Sequence, residues 1–482
     1  MSQTAEPPAM TMYHALRNPS VGTEAFTVKD LVLKRDAAVF TLHSGTVCLL
    51  APVNGVVTGA VFNGTGDVAL STDSAVERGQ LTILQSGALT PFDEEFEKLV
   101  LRFSDATADE IRKSPAVTPA ASPDCKPGLL SDINGRLRSP IRYNIAARLL
   151  QDVEAHDTNG IFYAFIDGKK YSSKMLYAID PHGLPELLME SDRSGTPSVY
   201  VAPEEVALLT YDERRFGVWY ARHLLPEYAA GTATGTQQNA LVHARNHTLD
   251  VTIEKNGYLR GTATTTLESS VAGLQVVTFD LFETLRVESA TDGAGLPLTF
   301  IQEEKRQDPQ YSVLLAKPLQ KGETFTIVTK YSGKDAVESE GNANYYPVAR
   351  TNWYPNTRFG EYANYDMTLR VPTSSVTVAT GKLLSTTTEA DKSVTHWKSE
   401  APMAVAGFIL GGFKEKSNKL QGTELTIDAY ANVDPDKYLK TYDNHVFGSI
   451  NTTGGLQQVL DEGSAAAAMY TNLFGTPSYS HF

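Results

Sequence analysis

The chain has 482 residues, 41% of them hydrophobic and 20% charged, and a net charge of −14. That length allows about three domains, and the composition is that of a chain able to bury a core rather than a disordered one. Forty-two Lys and Arg stand against 56 Asp and Glu, with no basic run longer than a pair, which excludes a basic footprint for nucleic acid or an anionic membrane.

No apolar run approaches the roughly 18 residues that span a bilayer. The opening MSQTAEPPAMTMYHALRN has neither a basic start nor an apolar stretch. Its polar, proline-containing lead-in is similar to the stretch that follows a signal cleavage site.

Residues 29–106 alternate short apolar runs with turn residues. VFTLHSG, CLLAPVNG, GAVFNGTGDVAL and LTILQSG read as closely spaced strands. The lone Gly-x-Gly within Asn63-Gly64-Thr65-Gly66 reads as a turn between strands, not a phosphate loop. Asp93, Glu94, Glu95 and Glu97 read as a solvated helix face, since the ligand alternation and central Gly of a calcium loop are absent. Cys48 and Cys125 could form one disulfide, but their spacing alone favours two buried or free thiols. Residues 114–128 hold four prolines and read as a surface excursion. Ile145, Leu149 and Val153 recur at four-residue intervals and predict a helix. Asp167-Gly168, between IFYAFI and YSSKMLYAI, predicts a hairpin turn. Residues 229–239 (AAGTATGTQQN) read as an interdomain linker.

Beyond the linker, Leu249, Val251 and Ile253 alternate with polar residues, as in a half-buried strand. Residues 274–288 and 318–333 read the same way, and 338–344 read as a loop. Turns at short intervals predict an antiparallel sandwich. From Leu456, the positions Leu456, Val459, Leu460, Ala467, Tyr470, Leu473 and Phe474 take helical spacing, with Gly475 as the stop and Pro477 after it. The fold class expected is therefore mostly β with some α.

Three stretches carry a family likeness: PLQKGETFTIVTKYSG (318–333), WYPN with YANYDMTLRVPTSSVTVATGKLL (353–356 and 362–384), and APMAVAGFILGGFK (401–414). In order and spacing they resemble the N-terminal β domain of the aminopeptidase N family of gluzincin zinc metallopeptidases. LFGTPSY (473–479) resembles the element that opens that family's thermolysin-like catalytic domain. Residues 1–235, with VNGVVTGAVFNGTGDVAL (53–70) and SAVERGQLTIL (74–84), resemble the extra N-terminal domain of some bacterial members.

The resemblance implies three parts: an α/β accessory domain (1–235), a β-sandwich or saddle domain (236–420), and the beginning of a truncated catalytic domain (421–482). It implies a peptide or protein substrate, an extracytoplasmic setting, and zinc in the full-length parent. In the family the zinc-binding His-Glu-x-x-His helix comes after LFGTPSY, so no cofactor is expected in this chain and no peptidase activity. Asn344 falls near the position of the family's amine-holding Gln or Glu, with Tyr346 and Arg350 beside it as further substrate-binding candidates. Asparagine is shorter and uncharged, which weakens the expectation of strict aminopeptidase specificity. The alternative reading is a non-catalytic scaffold or binding protein that keeps the family's β domain.

Zinc hydrolysis needs two histidines on one helical face with a glutamate beside them. The one i, i+4 histidine pair is His243 and His247, in HARNH. Ala244 stands where the base would be, and the segment runs into a strand, so no metal ligand is expected there. No Gly-x-Ser-x-Gly elbow supports a serine hydrolase.

Overall fold

The computed structural model describes every residue except 1–6, 88–90, 122, 139–140, 142, 172, 185–186, 189–197, 200–203, 213–214, 236–239, 305–307, 309, 342–343, 349–351, 359 and 434–452. It is mostly β, as the alternating apolar pattern predicts, and divides into two compact units. Unit 1 comprises Met1–Leu241 with Ser270–Val276 and Ala316–Gln320; unit 2 holds Val242–Ser269, Val277–Leu315 and Lys321–Phe482.

Unit 1 begins with helix α1 (Pro8–Arg17) and strands β1 (Val21–Arg35), β2 (Ala38–Leu50) and β3 (Gly59–Leu70). Helix α2 (Ala75–Leu84), β4 (Phe92–Phe103), α3 (Thr107–Lys113), β5 (Val117–Pro119), α4 (Pro127–Arg138) and α5 (Ile145–Ala155) follow. Then come β6 (Phe162–Gly168), β7 (Lys174–Ile179), the short β8 (Leu187–Leu188) and β9 (Ser198–Val199), β10 (Val206–Asp212), β11 (Arg215–Arg222) and α6 (Leu225–Ala230). Nine of these strands form one antiparallel sheet, ordered β11-β10-β7-β6-β4-β3-β2-β1-β5. Leu33, Phe40, Phe62, Leu99, Phe162 and Tyr177 build its core. The expected helix is α5, where Ile145, Leu149 and Val153 are buried and Asn144 caps the first turn through the Ala146 amide.

Several local expectations are corrected. LTILQSG is not a strand: Ser74 accepts the Glu77 amide, and this cap starts α2, which runs through Leu84. The acidic cluster is not a helix face. It lies on β4, where Phe92, Glu94 and Phe96 turn inward and the Glu94 carboxylate accepts the Lys170 and Tyr171 amides. Asn63–Gly66 is internal to β3, at an irregularity in its pairing with β4. Gly64 faces Gly45 so closely across β2 that any Cβ would meet the opposite backbone. The β6–β7 hairpin forms, but Asp167 already pairs with Lys174, so the turn lies just beyond Asp167-Gly168.

The two cysteines are also corrected: Cys48 and Cys125 are disulfide-bonded. The proline-rich excursion stays at the surface, as expected, with no buried residue among its described positions, but it is anchored. Its segment β5 pairs with β1 (Phe26 with Pro119), β1 sets Ala25 beside Cys48, and Cys125 arrives six residues past the end of β5. Spacing in sequence could not report this closure.

Unit 2 continues with β12 (Val242–Ile253), β13 (Leu259–Ser269), β14 (Leu274–Asp280), β15 (Leu285–Asp292), β16 (Pro297–Gln302), β17 (Gln310–Leu319), β18 (Thr324–Gly333), β19 (Val337–Gly341) and β20 (Asn344–Pro347). The later strands are β21 (Asn364–Pro372), β22 (Val376–Ala379), β23 (Lys382–Glu389), β24 (Lys392–Lys398), β25 (Phe408–Gly411), β26 (Phe413–Lys419) and β27 (Thr426–Asn432), before helix α7 (Leu456–Phe474). A ten-stranded sheet runs β14-β17-β16-β15-β18-β13-β12-β21-β24-β23, and β12 pairs with β21 in parallel. A four-stranded sheet runs β19-β20-β25-β22. The stretch expected to be a loop at 338–344 is thus largely the β19–β20 hairpin.

Helix α7 starts at Leu456 and gives way at Gly475, as its apolar spacing predicts. Leu456 and Leu460 pack on Leu425, Ile427 and Ala429 of the β26–β27 hairpin. Val459, Met469, Tyr470, Leu473 and Phe474 stay exposed. Residues 480–482 lie alongside β27, with Thr426 donating to Ser480 and Asp428 to Phe482.

Candidate functional site

The four-stranded sheet of unit 2 places two of the sequence's three substrate-binding candidates. Tyr345 opposes Leu410, and Val376 and Val378 oppose Gly411 and Ile409. Alternation along the strands then puts Asn344, Gly411 and Val376 in one cross-strand row, and Tyr346, Ile409 and Val378 in the next row on the same face, two positions along. Arg350 lies outside the described residues.

Asn344 is buried, yet neither atom of its amide meets a hydrogen-bond partner among the described residues. It rests directly over Gly411, where any side chain would displace it. Buried amides are normally paired, so an orphan one marks a place a ligand can complete. The next row opens into a cleft of about 610 Å³ lined by Tyr346, Pro347, Val378, Thr380, Phe408 and Ile409. Its wall is fixed from beneath by Trp353. That indole is fully buried, meets the Phe408 ring edge-on at 4.9 Å and donates to the Ala406 carbonyl at 2.8 Å. Trp353 is therefore core, and the aromatic run 345–355 contributes Tyr346 to the cleft.

His243 and His247 do not fit a zinc site. Both lie on β12, and neither is joined by a second imidazole on a helix face. His243 Nδ1 sits 2.8 Å from Glu361. Burial pushes the Glu361 carboxyl up, but hydrogen bonds from His243 and Thr357 and the nearby Arg358 outweigh this and hold it below the usual carboxylate range. His247 stacks on Tyr365, meets Tyr354 edge-on and hydrogen-bonds Thr265. Burial lowers its pKa to about 4, so it is a neutral core residue.

One cluster in unit 1 escaped the sequence reading. Glu205 precedes β10, His223 follows β11, and Glu227 lies in α6, and their ligand atoms gather within 4.8 Å of one another. Burial, then the hydrogen bond from His223 and the charge of Glu227, set the Glu205 carboxyl, which ends raised to about 7. The sequence signal was the i, i+4 spacing of His223 and Glu227; the third member comes from the neighbouring strand and no spacing reveals it.

No protein-family model matches the chain, and no curated protein matches it. Among solved structures it is similar to the M1 zinc metallopeptidase of Deinococcus radiodurans, at TM-score 0.40 and 16% identity, covering 50% of this chain and 55% of that one. A mutant of that metallopeptidase with a Tyr-Ser-Ala substrate bound gives the same values. A two-domain M1 zinc metallopeptidase mutant bound to L-arginine again matches at TM-score 0.40, 16% identity and the same coverage. The chain spans about half the length of these structures, 55%.

Proposed function

We propose that residues 236–420, most of which lie in unit 2, are the substrate-holding β domain and residues 421–482 the opening of the catalytic domain of a zinc metallopeptidase of the aminopeptidase N kind, with residues 1–235 as its accessory domain. The observation that carries this is Asn344: a buried amide on β20 with no hydrogen-bond partner among the described residues, where the next row on the same face lines an apolar cleft. Its Oδ1 can accept from a peptide's terminal ammonium while its Nδ2 donates to a peptide carbonyl, and the cleft takes an adjoining side chain. The motifs of residues 318–333, 353–384 and 401–414 lie on the strands that build this sheet and its neighbours.

The zinc and the glutamate base of that chemistry do not fit onto His243 and His247, so the role derived for these residues is to hold and orient substrate. The Cys48–Cys125 disulfide supports a periplasmic or secreted setting, because such bonds persist in oxidising compartments.

Calorimetric titration of the 482-residue protein with a short peptide, free or N-acetylated, tests the reading. The free amine should bind at least about tenfold more tightly, and Asn344→Ala should erase the difference while the circular dichroism spectrum is retained. Equal binding of both peptides, or an Asn344→Ala protein that still prefers the free amine, would refute the assignment.

A further inference from the structure

Glu205 and His223 face each other across the mouth of the β10–β11 hairpin, one position beyond the Val206–Arg222 pair. The first turn of α6 brings Glu227 to the same point. His223 Nδ1 lies 2.8 Å from Glu205 Oε2 and 3.6 Å from Glu227 Oε2. A four-coordinate zinc ion with bonds of roughly 2.0–2.2 Å spaces its ligand atoms about 3.3 Å apart. The two separations from His223 bracket that spacing, and all three ligand atoms lie within 4.8 Å of one another.

The donors are shielded, with side-chain exposures of 3% for Glu205, 12% for His223 and 16% for Glu227. Two carboxylates converge on a single imidazole, and all three side chains present a ligand atom to one small volume that a divalent cation can share. The adjacent Arg222 is directed elsewhere: its guanidinium lies 4.6 Å from the centre of the Tyr228 ring and 3.3 Å from the Tyr220 hydroxyl.

We infer that Glu205, His223 and Glu227 form a divalent-metal site for which zinc is the fitting ion. One imidazole nitrogen with two carboxylate oxygens is a borderline donor set that suits zinc, and three protein ligands leave a fourth position for water. The ion ties the end of β11 and the start of α6 to the start of β10. The site lies in unit 1 and is independent of the peptide-holding role proposed for Asn344.

The test is equilibrium dialysis of the metal-stripped 482-residue protein against zinc chloride, with elemental analysis and a melting curve. The site predicts one equivalent of zinc and a zinc-dependent rise in melting temperature. His223→Ala and Glu227→Gln should each weaken binding at least about tenfold and abolish that rise. Glu227→Gln is nearly isosteric and partly exposed, so it keeps the test valid if His223→Ala misfolds. His43→Ala removes the exposed histidine between Asp30 and Asp67 and should leave both readouts unchanged. No zinc uptake by the unmodified protein, or uptake unaltered in His223→Ala and Glu227→Gln, would reduce the cluster to an ion pair and overturn the inference.

Discussion

His247 shows how a single buried side chain can set a pH dependence. It is enclosed by Tyr354 and Tyr365, and burial holds its pKa at about 4 against 6.5 for the free group. The unfolded chain therefore takes up the proton first. Stability is complete above about pH 6.5 and declines as pH falls toward 4, by about 3 kcal/mol from this group. His247→Phe should flatten that part of the profile, measured as the difference in urea unfolding free energy between pH 7 and pH 4.5. An unchanged slope would mean that the imidazole is already charged in the fold. At the same scale, Asn344 was legible in the sequence only through its family likeness. No periodicity distinguishes an orphan amide from a satisfied one, because the strand that opposes it, β25, lies some 65 residues further along.

Among elements, what the sequence revealed and what it hid divide by range. The strands of 249–253 and 324–333 and the helices α5 and α7 follow from periodicity, because buried residues recur at the expected spacing: Leu249, Val251 and Ile253, Ile327 and Tyr331, Ile145, Leu149 and Val153, and Leu456 with Leu460. Helix α2 was hidden by an apolar run that fits either state; its cap, Ser74 with Glu77 three residues on, was the deciding local signal. Ser74→Ala should cost about 1 kcal/mol in unfolding free energy. The acidic stretch of β4 was hidden because the groups that receive Glu94, the Lys170 and Tyr171 amides, lie in the β6–β7 connection. The disulfide was hidden for the same reason. It closes a separation of 77 residues, and that length is worth about 4 kcal/mol in the unfolded state. The double variant Cys48→Ala/Cys125→Ala should lose stability of that order in denaturant titration, and reducing agent should act on the native protein but not on the variant.

At the scale of the molecule, a mostly β chain of two compact units accounts for the dense turn signals along the sequence. Unit 1 also takes in residues 270–276, which no local pattern joins to it. The link is Gln151, whose amide donates to the Gly273 carbonyl and accepts the Gln275 and Val276 amides. Gln151→Ala removes all three bonds, among them the buried one to Val276, and should cost about 1–3 kcal/mol. The peptidase reading rests on unit 2, and the most direct measurement is steady-state hydrolysis of an aminoacyl-anilide by the full product of the gene. The account predicts zinc-dependent turnover, with Asn344→Ala raising KM about tenfold or more and leaving kcat far less changed. Turnover that is absent, indifferent to zinc, or unaffected in KM by Asn344→Ala would contradict it.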